Sequence, residues 1–170
     1  LNDGKYFIWT SEKSGYNHVY LYNLKGKQVR QITKGNYDVT DFYGIDESNN
    51  TVYFASSERS PMHRDVYAVQ LNGKNKKTLT NKIGTNSATF STNYKYFINQ
   101  YSNANTPYYF SLFDANGNEV RMLKDNSNLK NSLGEYALSQ KEFFNFKTTE
   151  GIDLNGWIMK PHNFDETKQY

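Results

Sequence analysis

A chain of 170 residues can bury roughly 70% of the surface its unfolded form exposes, enough for one sizeable core or for part of a larger protein. A mean hydropathy of −0.87 would by itself suggest a solvated, disordered chain, but 15 Tyr and 11 Phe exclude one, because disordered segments are poor in aromatics. The formal charge of +3, from 20 basic and 17 acidic side chains, is too small to point to nucleic acid or anionic lipid, and the absence of cysteine excludes disulfides and thiolate chemistry.

Leu1-Asn2-Asp3-Gly4-Lys5 reads as a turn inside a domain, so the chain is expected to begin mid-domain. Self-similarity then dominates. KYFIWTSE (Lys5 to Glu12) is followed by HVYLYNLKGKQVRQIT (His18 to Thr33). TVYFASSE (Thr51 to Glu58) is followed by DVYAVQLNGKNKKTLT (Asp65 to Thr80). A third copy runs YKYFINQYS (Tyr94 to Ser102), then YYFSLFDANGNEVRMLK (Tyr108 to Lys124). The turn glycine recurs at Gly26, Gly73 and Gly117, 47 and 44 residues apart.

Each copy reads as β-branched and aromatic strands ended by Gly-centred hairpin signals. One more strand lies between copies, at Asp38 to Tyr43 and again at Asn86 to Phe90. Four strands in about 45 residues is the signature of a β-propeller blade. No 3.6-residue apolar period persists, which argues against long helices. The fold class is therefore all-β: a partial propeller of two to three four-stranded antiparallel blades, the first starting at its second strand. Such an array leaves open edges and cannot close its own ring.

The pattern changes after the third copy. Asp125 to Leu133 carries capping residues and places Leu129 and Leu133 at i, i+4, which predicts one or two helical turns acting as a connector. Glu142 to Lys147 and Ile152 to Met159 flank a turn at Thr149-Glu150-Gly151 and predict a hairpin outside the blade period. No apolar run approaches the roughly 18 residues of a membrane helix.

Catalytic constellations are absent by motif. There is no Gly-x-Ser-x-Gly nucleophile elbow and no phosphate-cradling glycine loop. His18, His63 and His162 stand in unlike contexts without zinc spacing and read as surface or hydrogen-bonded structural residues. The carboxylate pairs Asp46-Glu47 and Asp165-Glu166 lie among turn formers, and neighbours in an extended segment point to opposite faces. Lys74-Asn75-Lys76-Lys77 reads as a solvated β-turn rather than a phosphate patch. The stripe Tyr20, Tyr22, Tyr53 and Tyr67 suits packing between blades better than sugar stacking. No catalytic, cofactor-binding or metal-binding residue is assigned.

Taken together, the residues resemble a known family. Ser14-Gly15-Tyr16-Asn17-His18-Val19-Tyr20-Leu21-Tyr22 and Arg30 to Val39 resemble the blade sequences of dipeptidyl peptidase IV-like serine peptidases, within the prolyl oligopeptidase group, with Tyr37 where many members have Trp. Ser60-Pro61 with Arg64-Asp65-Val66-Tyr67 is similar to the next blade, and Arg121 to Asn126 to the run before the propeller ends. Gly156-Trp157-Ile158-Met159-Lys160-Pro161, with Phe164-Asp165 and Tyr170, resembles the start of the family's α/β-hydrolase domain.

The resemblance implies propeller blades over 1–125, a connector with a short helix over 126–141, and the first strands of a hydrolase domain over 142–170. It implies a serine exopeptidase that releases N-terminal dipeptides after Pro or Ala, whose catalytic triad and amine-binding glutamate pair lie outside this chain. This piece would then supply scaffold and substrate gating. The same resemblance implies peptide substrates, upstream blades and a hydrolase domain as partners, possible homodimers of the parent, no cofactor, no nucleic acid, and a periplasmic or cell-envelope location. Two alternatives stay open: a non-catalytic propeller that binds protein or glycan, and the propeller of an oligopeptidase or acylaminoacyl peptidase.

Overall fold

The computed structural model describes residues 1 and 4–170. Strands β1 (Tyr6–Ser11), β2 (His18–Asn23) and β3 (Gln28–Gln31) form a three-stranded sheet. Strands β4 (Val39–Asp46), β5 (Thr51–Ser56), β6 (Asp65–Gln70) and β7 (Lys77–Thr78) form a four-stranded one. A second four-stranded sheet contains β8 (Thr85–Phe90), β9 (Tyr96–Asn103), β10 (Thr106–Asp114) and β11 (Glu119–Lys124). In all three, sequence neighbours pair antiparallel, so each is a meander. This is the expected partial propeller, and among the described residues blade one has no counterpart of β4 and β8. Helix α1 (Ser127–Gly134) and the hairpin β12 (Lys141–Lys147) and β13 (Asp153–Met159) complete the chain.

Side chains alternate across a strand, so the middle blade has to bury both of its faces. Val52 and Phe54 of β5, with Tyr67 and Val69 of β6, pack against Val19 and Leu21 of blade one. Tyr53, Val66 and Ala68 face the other way and pack against Phe97 and Phe113 of blade three. The β5–β6 register places Phe54 opposite Tyr67, and their rings stack with centroids 5.4 Å apart. Fully burying one such side chain contributes about 1.5–3 kcal/mol. The outer faces of the flanking blades are covered only in part: Trp9 of β1 is 62% exposed and Tyr96 of β9 is 47% exposed, although Tyr20, opposite Trp9, is buried.

The recurring turn glycine has a second role that depends on the neighbouring blade. Gly117 has φ +79°, and a Cβ built there would lie 2.8 Å from the Leu79 carbonyl oxygen and 2.9 Å from Leu79 Cα. Gly73 stands in the same relation to Ile32, with a contact of 3.2 Å. Gly26 has a similar φ of +75° but faces open space. The glycine therefore permits both the left-handed turn and the close approach of one blade's turn to the preceding blade's outer strand.

The connector forms the predicted helix, but its N-terminus differs from expectation. Asn126 is left-handed (φ 53°) and its side chain makes no capping bond. Its amide instead donates to the Tyr108 carbonyl at 2.5 Å, while Asp125 Oδ1 accepts from the Ser127 amide at 3.0 Å. The tether to blade three takes the place of the cap.

Two outcomes follow. Gly26→Ala should cost about 1 kcal/mol, the left-handed penalty alone. Gly117→Ala should cost about 1–3 kcal/mol more, because the backbone of Leu79 cannot yield as a side chain would. Thermal denaturation of the two variants measures the difference, and equal losses would show that the Leu79 contact carries no weight. Among the described residues no further strand pairs with the outer edge of β1, and this edge with the partly exposed apolar faces predicts self-association. Light scattering should show an average mass rising above 19.8 kDa with concentration, and a constant monomer mass would contradict this.

Candidate functional site at the blade seams and the terminal hairpin

His18 and Asp65 occupy the same place in consecutive repeats, each opening the strand before the turn glycine and each 1% exposed. His18 Nε2 lies 3.0 Å from the Gly35 carbonyl, which can only accept, so Nε2 carries the hydrogen. In the neutral ring Nδ1 then accepts from Thr33 Oγ1 at 3.1 Å, and Thr33 Oγ1 accepts from the Val19 amide at 2.9 Å. Tyr37 meets the imidazole edge-on, with ring centroids 5.2 Å apart. His18 is thus a buried structural histidine joining β2 to the segment that links β3 to β4 of blade two.

Asp65 does the same work across the next seam with a charge. Its Oδ2 lies 2.8 Å from Arg59 Nε. Its Oδ1 accepts from Thr80 Oγ1 at 3.4 Å and from Asn86 Nδ2 at 3.3 Å. Asn86 Oδ1 in turn accepts from Asn99 Nδ2 at 3.1 Å, so the network reaches two strands of blade three. Thr80 Oγ1 accepts from the Val66 amide at 3.0 Å, as Thr33 does from Val19. Burial outweighs the Arg59 guanidinium and holds the Asp65 carboxyl above the usual carboxylate range.

Backbone bonds repeat at both seams. The Val39 amide donates to the Asn17 carbonyl at 2.8 Å, and the Asn86 amide donates to the Arg64 carbonyl at 2.9 Å. The Arg64 amide donates to the Gly84 carbonyl at 2.9 Å, making a short parallel bridge to Thr85. Tyr43 adds a tie from β4 to β8: its hydroxyl accepts from the Ala88 amide at 3.2 Å, and burial pushes it up to about 12. On the outside, Lys76 pairs with Glu58 and lies over the Tyr37 ring, 5.1 Å from its centroid. Arg30 Nη1 donates to the Asn72 carbonyl at 2.8 Å.

The hairpin carries apolar side chains on both faces. Phe143, Trp157 and Met159 share one face by register. Phe144, Phe146, Leu154 and Ile158 share the other. All seven are exposed, Trp157 at 57%. A sheet that is solvated on one side alternates apolar with polar residues, whereas one covered on both sides is apolar throughout. The hairpin lies between these cases: one face is mainly apolar, and the other sets Phe143, Trp157 and Met159 among Lys141, Asn145, Lys147, Asp153 and Asn155.

The other residues singled out by sequence fall on separate elements. His63 lies in the turn before β6, and His162 is exposed after β13. Asp46 closes its own turn, accepting from the Ser48 hydroxyl at 2.5 Å, from Asn49 Nδ2 at 2.7 Å and from the Ser48 amide at 3.0 Å, and those bonds, the hydroxyl's foremost, hold it below the usual range. Asp165 does likewise with Thr167, whose amide donates at 3.0 Å. The stretch from Lys74 to Lys77 turns into β7, with the Lys74 amide donating to Asn72 Oδ1 at 2.8 Å. The tyrosine stripe needs correction, because only Tyr53 and Tyr67 pack between blades. Tyr20 and Tyr22 lie on the opposite face of β2 from Val19 and Leu21, under Lys13, whose ammonium is 4.5 and 5.0 Å from their ring centroids. Sequence reasoning missed the shared seam position of His18 and Asp65; its signal was the recurring pair of that residue with a Thr fifteen residues on.

Asp65 makes a pH test possible. Its folded-state pKa is raised, so between the unfolded value near 3.9 and the folded one the native state binds more protons. Its contribution to stability therefore rises as pH falls through that window and is lost as pH climbs out of it. Asp65→Asn removes this titration. The stability of the native chain relative to the variant should increase between pH 7 and pH 4 in urea denaturation, and a flat difference would show that Asp65 titrates normally.

Known proteins share this arrangement. Residues 1–108 match the family described as the dipeptidyl peptidase IV (DPP IV) N-terminal region. The chain is 31% identical over 174 aligned positions to dipeptidyl peptidase 4 of Arthroderma otae and 30% identical to that of Trichophyton rubrum; all of this chain is covered in each case. It spans 22% of the length of those proteins. The crystal structure of Porphyromonas gingivalis dipeptidyl peptidase 4 superposes with a TM-score of 0.89 at 45% identity, over 98% of this chain and 24% of that one. A putative dipeptidyl aminopeptidase IV from Bacteroides ovatus superposes with a TM-score of 0.81 at 27% identity, over 98% of this chain and 26% of that one. With the family model matched over residues 1–108, the chain belongs to the dipeptidyl peptidase IV N-terminal region family.

Proposed function

We propose that these residues are a non-catalytic part of a serine exopeptidase that releases N-terminal dipeptides of the Xaa-Pro or Xaa-Ala type. The blades would form part of the wall through which substrate is gated and the scaffold on which the catalytic domain rests. The observation that carries this reading is similarity along the whole chain to proteins named dipeptidyl peptidase 4, of which it covers about a quarter or less. Blades over 1–125, a connector over 126–141 and the first strands of an α/β-hydrolase domain over 142–170 fit that division. The hairpin supports it physically. It exposes large apolar side chains on each face, Phe144, Phe146, Leu154 and Ile158 on one and Phe143, Trp157 and Met159 among polar neighbours on the other, which suits strands that pack against further elements, as hydrolase strands do.

Dipeptide release by such an enzyme requires a serine made nucleophilic by a histidine and an oxyanion hole at a strand-to-helix turn. These 170 residues contain no Gly-x-Ser-x-Gly. His18, the one histidine buried in a seam, spends both ring nitrogens on structural bonds. The nucleophile and its base would come from the rest of the protein.

The test uses a Gly-Pro chromogenic substrate with a free and with an acetylated N-terminus. The 170-residue chain should turn over neither, and the parent protein should cleave only the free form. Turnover by the chain would overturn the non-catalytic assignment. Cleavage of the acetylated form by the parent would favour an acylaminoacyl peptidase or oligopeptidase, and cleavage of neither would overturn the peptidase reading.

A further inference from the structure

The hairpin is joined to blade three by a pair of hydrogen bonds from a single side chain. Asn105 lies in the two-residue turn between β9 and β10, and Lys141 opens β12, 36 residues later. Asn105 Oδ1 accepts from the Lys141 amide at 3.0 Å, and Asn105 Nδ2 donates to the Lys141 carbonyl at 3.0 Å. A planar carboxamide presents one donor and one acceptor side by side, as a neighbouring strand's peptide groups would. Asn105 thus engages both main-chain groups of the first hairpin residue and acts as a one-residue strand edge. The Lys141 side chain lies over Trp157, with Nζ 4.5 Å from the ring centroid, so backbone and side chain hold the same residue from two sides.

Asn105 is itself held. Its amide donates to Asn103 Oδ1 at 3.0 Å, and Asn103 Nδ2 donates to the Tyr101 hydroxyl at 2.9 Å. That hydroxyl spends its own hydrogen on the Ile83 carbonyl at 2.9 Å. The Asn103 carboxamide and the Tyr101 hydroxyl each receive one bond and give one, so the polarity runs consistently from Asn105 to Ile83. Ile83 precedes Gly84, whose carbonyl accepts from the Arg64 amide at the seam between blades two and three. Gly84 (φ +152°) admits the relay, because a Cβ there would lie 2.5 Å from the Ser102 carbonyl oxygen, 2.8 Å from the Tyr101 ring and 3.1 Å from Asn103 Cβ. Along the intervening connector, the bonds of Glu135, Tyr136 and Leu138 reach back only to Ser132, Leu133 and Tyr136. They do not fix where the hairpin sits.

We propose that Asn105 is a positioning residue that registers the hairpin on blade three, and that it is rooted through Asn103 and Tyr101 in the crossover between blades two and three. This does not depend on which reaction the whole protein performs. It predicts a local effect, read by amide exchange of the 170-residue chain with NMR detection. The ratio of the Lys141 exchange rate to that of Ile98, in the centre of blade three, should rise roughly tenfold in Asn105→Ala, where both bonds are lost. Asn105→Asp can still accept from Lys141 but cannot donate when ionised, and should raise the ratio less. Should the alanine variant not fold, the aspartate variant is read against the same criterion. Tyr101→Phe should also raise the ratio, because it cuts the relay without touching Asn105. An unchanged ratio in the Asn105 variants, including one in which both rates rise together, would overturn the positioning role. An unchanged ratio in Tyr101→Phe alone would overturn the relay.

Discussion

The two-sided burial of the middle blade is the constraint on which the rest of this structure depends. Strands β5 and β6 have no solvated face, so every successive residue from Val52 to Ala55 and from Val66 to Val69 meets a packed neighbour. The blade therefore exists only between two others, and the flanking sheets are positioned by what it needs to bury. Phe54 with Tyr67 fills one seam and Tyr53 with Phe97 and Phe113 fills the other. Side chains in such a core cannot move independently, because a shift by one residue would exchange the two seams' entire contents.

Within that frame one position does the same job with different chemistry. His18 links its seam through an imidazole with both nitrogens bonded, and Asp65 links the next through a carboxylate, a guanidinium and two asparagines. In both, a threonine hydroxyl accepts the following strand amide and ties the network to the sheet. A buried polar group that is hydrogen-bonded adds specificity to a seam that apolar packing alone would hold loosely. A buried carboxylate carries a desolvation cost, and that burial holds Asp65 above the usual carboxylate range.

At its far end the chain stops following the blade plan. The hairpin exposes large apolar side chains on both sides, Phe144, Phe146 and Trp157 among them. Helix α1 buries none of its residues and holds the hairpin only loosely, so placement falls to Asn105 and Lys141. Membership of the dipeptidyl peptidase IV N-terminal region family, established over residues 1–108, accords with a scaffold of blades handing on to a differently built element.

The blade plan was legible in the sequence because strand alternation and left-handed turns are local. Val, Tyr and Phe at period two mark strands, and a glycine at a fixed offset marks each hairpin, whatever lies beside them. The split of the tyrosine stripe was not legible, since among the described residues β2 packs a blade against one face and nothing local distinguishes Tyr20 from Tyr67. Nor was the closeness of Gly117 to Leu79, or the pairing of Asn105 with Lys141, because both join residues 36 or more apart. An asparagine in a turn looks the same whether its amide faces water or another strand. By itself, then, the sequence determined the strands, their order and the blade repeat. Only the tertiary structure decided which faces are buried, which glycine is irreplaceable by contact as well as by φ, and where the hairpin is held, because those depend on what the neighbouring blade brings into reach.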